Sequence, residues 1–217
     1  MWGMLAQIVL FDGFDPLDVI GPYEVLYSGG IPVELVSAEG ARRVPSGAGL
    51  LSLDAVGALD PSRARIVVVP GALGLMPGDD GPGDSVVGLL AGTLETPLPG
   101  LLAEAIARPD VTVATVCGGA VIPALAGLIK GRPAATHHLG LAALAAMGVQ
   151  AVDARVVDDG DLVSSSSVTS GLDLALHLIE REVGPRTAHR VEELFRHERR
   201  GIVWRAAAGQ STVERAA

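Results

Sequence analysis

The sequence predicts an α/β fold, a mostly parallel sheet covered by helices on both faces. Three observations carry this expectation. Short β-branched runs alternate with longer helical patterns along most of the chain. Two of those runs, Ile66-Val67-Val68-Val69 and Val111 to Val116, are almost wholly apolar, as strands buried on both faces are. The 217 residues are 49% hydrophobic but only 3% aromatic, so a single domain over residues 1–217 builds its core from Val, Leu, Ile and Ala.

The first strand is placed at Ala6–Phe11. Asp15 then caps a helix that Pro16 opens and that runs to Leu26. Pro32–Ser37 follows as a strand, and Gly40–Val44 with Gly49–Leu53 reads as a small hairpin beside the main sheet. Arg65–Val69 and Thr112–Val116 are the central strands, and Arg155–Asp158 and Leu162–Ser164 complete the set. Helices are expected over Leu98–Arg108, Gly119–Lys130, Leu139–Met147, Gly171–Val183 and about Pro185 to Arg200. Residues 76–92 are rich in Gly, Pro and Asp and long for a strand-to-helix connection. They read as a loop insertion, either a surface excursion or a flap over the crevice where open α/β sheets bind ligands.

The bulk numbers exclude several function classes. A net charge of −9 disfavours a nucleic-acid partner. A single cysteine rules out an internal disulfide framework and a multi-cysteine zinc site, and fits a cytoplasmic location. There is no apolar run of roughly eighteen residues, so no membrane span is expected. The start, Met1-Trp2-Gly3-Met4, lacks a basic region, which makes Gln7–Phe11 a strand rather than a signal peptide and Met4 an alternative start with Trp2 dispensable. Neither G-x-G-x-x-G nor G-x-x-x-x-G-K-[ST] occurs, so no dinucleotide or triphosphate cofactor is expected. His137, His138 and Cys117 supply too few ligands for a metal, and none is expected.

The chemistry concentrates at Cys117. The run Val111–Val116 ends abruptly in Cys117-Gly118-Gly119-Ala120, and an apolar run from Val121 follows. This reads as strand, sharp turn and helix with the thiol at the turn, where a helix dipole favours the thiolate. A lone cysteine is equally a small buried hydrophobe. Asp18 falls in the first turn of the first helix among Leu17, Val19 and Ile20; burial there would raise its pKa and suit it to acid/base work. The turn Pro70-Gly71-Ala72 offers backbone N–H groups to a developing negative charge. His137 would activate the thiol if the two side chains met. Ser165 lies in a serine run that also serves packing and capping.

In this order the pieces resemble the ThiJ/PfpI superfamily, and among its members most of all the isonitrile hydratases. Leu17-Asp18-Val19-Ile20-Gly21-Pro22-Tyr23-Glu24-Val25-Leu26 looks like their Leu-Asp-x-x-Gly-Pro-x-x-Val-Leu segment, and Val116-Cys117-Gly118-Gly119-Ala120 like their Val-Cys-Thr-Gly-Ser elbow. Ala126 to Arg132, Ala135-Thr136-His137, Arg155 to Gly160 and Thr169 to Asp173 continue the register. The resemblance implies a flavodoxin-like sandwich with a nucleophile elbow. It also implies Cys117 as nucleophile, Asp18 as acid/base partner, Gly71, Ala72 and Gly118 around the reacting group, and His137 and Ser165 as further pocket residues.

The function so implied is hydration of an isonitrile, a small-molecule substrate, to an N-substituted formamide through a thioimidate, in a homodimer. The alternatives are glyoxalase or deglycase chemistry, another tailoring reaction on a secondary metabolite, peptidase activity, and a non-catalytic ligand- or redox-sensing domain. An AraC-type regulator would need a helix-turn-helix after Ala188, for which the remaining residues are too few. The chain departs from the hydratase pattern at Gly118 (threonine there), at Ala72 (glycine there), at Ser165-Ser166-Ser167 and in the 76–92 insertion. These departures bear on the substrate.

Overall fold

The computed structural model describes residues 4–49, 51–76, 78–81 and 83–205. Trp2 and the chain end beyond Arg205, on which two of the expectations above rest, lie outside the described residues. In chain order the elements are β1 (Ala6–Leu10), α1 (Pro16–Ser28), β2 (Val33–Ser37), β3 (Arg42–Pro45), β4 (Ser52–Ala55), β5 (Gly57–Ala58) and β6 (Ile66–Val69). There follow α2 (Val86–Gly92), α3 (Leu98–Ala107), β7 (Thr112–Thr115), α4 (Val121–Leu125), β8 (Pro133–Ala134), α5 (Leu141–Ala146) and β9 (Gln150–Ala151). The last are β10 (Val156–Asp159), β11 (Leu162–Ser165), α6 (Ser170–Glu182), α7 (Pro185–Phe195) and β12 (Trp204–Arg205).

Eight strands form one sheet in the order β12-β10-β11-β7-β6-β1-β2-β5. Every neighbouring pair is parallel except the β10–β11 hairpin. The β1–β2 connection steps toward one edge and the β6–β7 connection toward the other. Right-handed crossovers therefore place α1 on one face and α3 on the opposite one. α6 packs on α1 and carries α7, whereas α4 packs with α2 and α3. The central strands carry the core, with Ile8, Val9, Leu10, Val67, Val68, Val69, Val113 and Ala114 all fully buried. This is the flavodoxin-like α/β sandwich, and β3–β4 form the separate hairpin expected beside it.

The strand order reverses between β1 and β6, so a crevice opens beyond their carboxyl ends. β6 and β7 end level there, with Val69 paired to Thr115, and β1 lies in register beside them, with Ile8 paired to Val68. The segments that leave these ends carry Asp18 in the first turn of α1, Gly71 in the loop after β6 and Cys117 in the turn after β7.

Several elements differ from expectation. The helix expected over Gly119–Lys130 is only α4, entered through a one-turn 3-10 segment at Cys117–Ala120. Gly127, at φ +74°, stops it: the Gly127 N–H donates to the Ala124 carbonyl and the Leu128 N–H to the Pro123 carbonyl, a Schellman closure. The last helix ends at Phe195 rather than Arg200, because Arg196 turns left-handed at φ +50° and the His197 N–H closes on the Glu192 carbonyl. The chain then returns as a strap whose β12 adds to the edge of β10. The 76–92 stretch is loop only in part. Ser85 caps α2 by accepting the Gly88 N–H, and Leu90 enters the core at 3% exposure.

Charged side chains tie the late elements together. Arg132 donates to Asp159 at 2.6 Å, and Arg155 donates to the buried Asp173, which also accepts from His197 Nε2 and the Arg200 N–H. Asp158 meets the buried His177 at 2.8 Å. Burial alone would raise the Asp158 pKa. The His177 hydrogen bond, the Gly160 N–H and the Arg181 charge outweigh it and hold the carboxyl below its usual range. A carboxylate lowered in the folded state adds stability above its unfolded pKa, and that stability is lost as pH falls through the folded value. Asp158→Asn is therefore expected to lower the unfolding free energy by about 2 kcal/mol at pH 7. In urea titrations the gap to the native chain should narrow below about pH 4. A gap that stays constant with pH would refute the ionic contribution.

Candidate active site

The β7 strand delivers Cys117 into a left-handed turn, at φ +55°, a conformation that costs a side-chain-bearing residue roughly 1–2 kcal/mol. The surroundings hold it there. The Cys117 carbonyl accepts the Thr136 hydroxyl at 2.9 Å and the His137 N–H at 3.2 Å. Gly119 lets the turn lie against the end of β6, since a Cβ there would come within 2.2 Å of the Val69 carbonyl oxygen. Cys117 as a whole is left 6% exposed.

Asp18 is placed by α1. Asp15 caps that helix by accepting the Leu17 N–H at 2.9 Å, and Pro16 begins it, so Asp18 falls in the first turn. Its side chain turns inward and is fully buried. Oδ2 accepts the Gly71 N–H at 2.9 Å, while Oδ1 has no aligned hydrogen-bond partner among the described residues. Gly71 stands between the two reactive groups. A Cβ on it would lie 2.7 Å from the Gly118 nitrogen, 2.8 Å from Asp18 Oδ2 and 3.3 Å from the Cys117 Cβ, so no residue but glycine fits. The β1 and β6 loops are stitched at the same place, the Asp15 N–H bonding the Gly71 carbonyl and the Leu73 N–H the Gly13 carbonyl.

Electrostatics follow from this burial. Asp18 is pushed well above its usual range, chiefly by burial and then by the nearby Asp15 charge; the Gly71 N–H and the Cys117 thiol oppose the rise. The Cys117 thiol is also pushed up, by burial first and then by Asp18, against N–H donors from Gly118 and Val168. This corrects the expected lowering by a helix dipole. The helix behind the thiol has only five residues and starts with a 3-10 turn, too little to offset desolvation. With both groups pushed toward neutrality, the pair holds at most one negative charge near pH 7.

The other candidates separate. The N–H groups of Gly71 and Gly118 are directed to Asp18 and to the sulfur, so they steady charge on the pair itself. Ala72 is buried at 7% exposure and bridges to Phe14. His137 reaches Cys117 through its backbone, while its ring Nδ1 accepts the Leu139 N–H at 3.3 Å. Burial and the neighbouring His138 lower its pKa. The thiol's side-chain neighbour is thus a carboxyl and not an imidazole. Ser165 is fully buried, with its hydroxyl on the Thr115 carbonyl at 3.3 Å, a sheet-packing contact.

Three contributors carried no clear sequence signal as site residues: the Val168 N–H, Asp15 as a second nearby charge, and Leu90, which packs over Gly118. Among the described residues no group of three His, Cys, Asp or Glu side chains is placed to hold a metal. No single described helix is long and apolar enough to cross a membrane. An apolar pair, Val86–Glu95 and Leu98–Ala107, is bent by 78° and lends Leu90, Leu98 and Leu102 to the core.

Comparison with known proteins bears on the family and the fold. Residues 93–181 match the DJ-1/PfpI family model. Isonitrile hydratase from Pseudomonas putida is 33% identical over 192 residues, spanning 87% of this chain and 77% of that protein. Among solved structures, DJ-1beta from Drosophila melanogaster superposes with a TM-score of 0.76 at 20% identity, covering 91% of this chain and all of the other. A ThiJ/PfpI family protein from Pseudomonas syringae gives 0.73 at 22% identity, over 92% and 77% of the two chains. At those identities the structural matches speak for the fold, and the hydratase match, long and above 30%, places this chain in the DJ-1/PfpI family.

Proposed function

We propose that this chain is a cysteine-dependent hydratase that converts an isonitrile to an N-substituted formamide. The observation that carries the reading is a cysteine residue only 6% exposed, set beside a fully buried carboxyl that has one oxygen without an aligned hydrogen-bond partner among the described residues. A narrow approach to sulfur suits an electrophile whose reacting atom is terminal and unflanked. The isonitrile carbon ends a linear R–N≡C group and meets that demand. An aldehyde or ketone carbon carries substituents at the attacked atom, which ranks the glyoxalase and deglycase readings lower. The hydratase relative supports the same choice.

The chemistry balances on the one proton of the Asp18–Cys117 pair. Sulfur attacks the terminal carbon, and the pair's proton passes to that carbon, giving the thioimidate Cys–S–CH=N–R and an Asp18 carboxylate. Water then adds to the carbon, Asp18 relaying one of its protons to nitrogen. The hydroxyl proton returns to the pair as the carbon–oxygen double bond forms and the carbon–sulfur bond breaks, releasing R–NH–CHO. The substrate is a small molecule, and the reading keeps the homodimer and cytoplasmic location expected of the chain. Leu17, Ile20 and Tyr27 share an exposed face of α1 near Asp18, which supports a partner copy there.

Cys117→Ala should abolish formamide formation, followed by loss of the isonitrile infrared stretch; turnover retained by this variant would end the proposal. Asp18→Asn should reduce kcat/KM at least ~100-fold, the scale of a lost acid/base group. The pH profile separates the roles. Because the Asp18 pKa is raised, the native chain's acid limb should lie above the usual carboxylate pKa of about 3.9 and be absent from the residual activity of Asp18→Asn. A raised folded pKa also means that the ionised carboxylate costs stability as pH rises above the unfolded value. Asp18→Asn should therefore melt no lower than the native chain at pH 7, and a clear drop in Tm would contradict the burial argument.

A further inference from the structure

The residue after the nucleophile is Gly118, and its open side faces α2. A Cβ on Gly118 would lie 3.1 Å from Leu90 Cδ1 and 3.8 Å from the Cα of Gly71, the residue wedged between sulfur and carboxyl. Leu90 thus fills the space that a side chain beside the thiol would take. The preceding leucine makes a matching contact on the loop after β1: a Cβ on Gly13 would lie 2.5 Å from Leu89 Cδ2. Backbone bonds fix α2 in this seat. The Leu75 N–H donates to the Asp84 carbonyl and the Val86 N–H to the Leu75 carbonyl, so the helix start is tied to the loop that leaves β6. Leu89 also lines a cavity of about 520 Å³ with Gly88, Asp12 and Arg42, whereas Leu90 turns away from that cavity toward the elbow.

We propose that Leu90 is a specificity-determining residue, an apolar wall over Gly118 that limits the width of what reaches the Cys117 sulfur. Resting on the hydratase reading, this names the substrate class as isonitriles unbranched at the carbon bonded to nitrogen. The wall offers no hydrogen-bonding group, so the substituent it meets is apolar. One methylene more or less against such a wall changes selectivity about 10–200-fold.

The test compares n-butyl with tert-butyl isonitrile. The native chain should favour n-butyl in kcat/KM. Leu90→Ala should cut that preference about tenfold, Leu90→Val should cut it less, and Leu89→Ala should leave it unchanged. Gly118→Ala placed on Leu90→Ala returns a methyl group to the vacated space and should restore part of the preference, which loosened packing alone would not do. Leu90 is a core residue, so each variant is first checked by its melting curve, and Leu90→Val stands in if Leu90→Ala does not fold. A preference unchanged within twofold in the folded Leu90 variant overturns the proposal.

If the native chain turns over neither isonitrile, the hydratase reading fails, and the wall is judged by another readout. Cys117 is the chain's only cysteine, so its alkylation by iodoacetamide and by N-cyclohexylmaleimide can be followed by intact mass. The Leu90 variant should then raise the rate with the bulkier reagent relative to the smaller about tenfold. An unchanged ratio overturns the wall.

Discussion

The site depends on two buried ionisable groups set so close that ionising one opposes ionising the other. Asp18 and Cys117 approach across Gly71, where there is no room for a side chain. Both are desolvated, and each makes the other's ionisation harder. Water would solvate a second charge, but neither group has water-exposed surface enough for that. The consequence is that the pair resists carrying two charges at once. The Gly71 N–H favours charge on the carboxyl, and the N–H groups of Gly118 and Val168 favour it on sulfur. The two forms are thereby brought closer in energy than burial alone would leave them.

That arrangement needs three loops held to within fractions of an ångström, and the sheet supplies the alignment. Parallel register brings the ends of β1, β6 and β7 together where the strand order reverses. Residues from the motifs that carried the resemblance brace this corner. Arg132 ties the turn after α4 to Asp159 on β10. Thr136 and His137 hold the strained Cys117 carbonyl. Arg155 holds Asp173 on α6, the helix whose entry segment sends the Val168 N–H to the sulfur. Each clamp joins two stretches distant in sequence, so these stretches keep a common register along the chain.

How much of this was legible differs by element. The central strands were plain, because β-branched apolar runs have few other places to go. Cys117 and Asp18 were legible too: a thiol after a buried strand, and a carboxylate among apolar neighbours in a first helical turn. The helix ends were not. Gly127 and Arg196 each close a helix through a left-handed residue, and the periodic pattern runs on past both. β12 was illegible because two residues pairing at a sheet edge leave no periodic trace. The α2 helix was masked by the Gly/Pro/Asp run before it, and its seat on Gly118 is a tertiary contact with no local signature. Burial explains the largest error at the site. A helix dipole can be read from a turn motif, whereas desolvation depends on everything packed around the sulfur.

A raised thiol pKa is consistent with a working nucleophile. Thiol nucleophilicity increases with pKa, with a Brønsted slope of about 0.4–0.5. A sulfur made permanently anionic by a strong dipole would be abundant as thiolate but weaker in attack. In the proposed reaction the sulfur would keep its intrinsic strength and release its proton to Asp18 only as the bond to carbon forms. The same proton would then be in place to complete the imidoyl carbon of the proposed thioimidate, so that charge would not leave the pair for solvent. In that proposal the departure of sulfur is the price of a high pKa, and the Gly118 and Val168 N–H groups, which lower the thiol pKa, would offset it by holding the charge that returns. On the proposed reading, attack and departure would draw on opposite features of one burial: the absence of water would strengthen the nucleophile, and two backbone dipoles would stand in for water when it leaves.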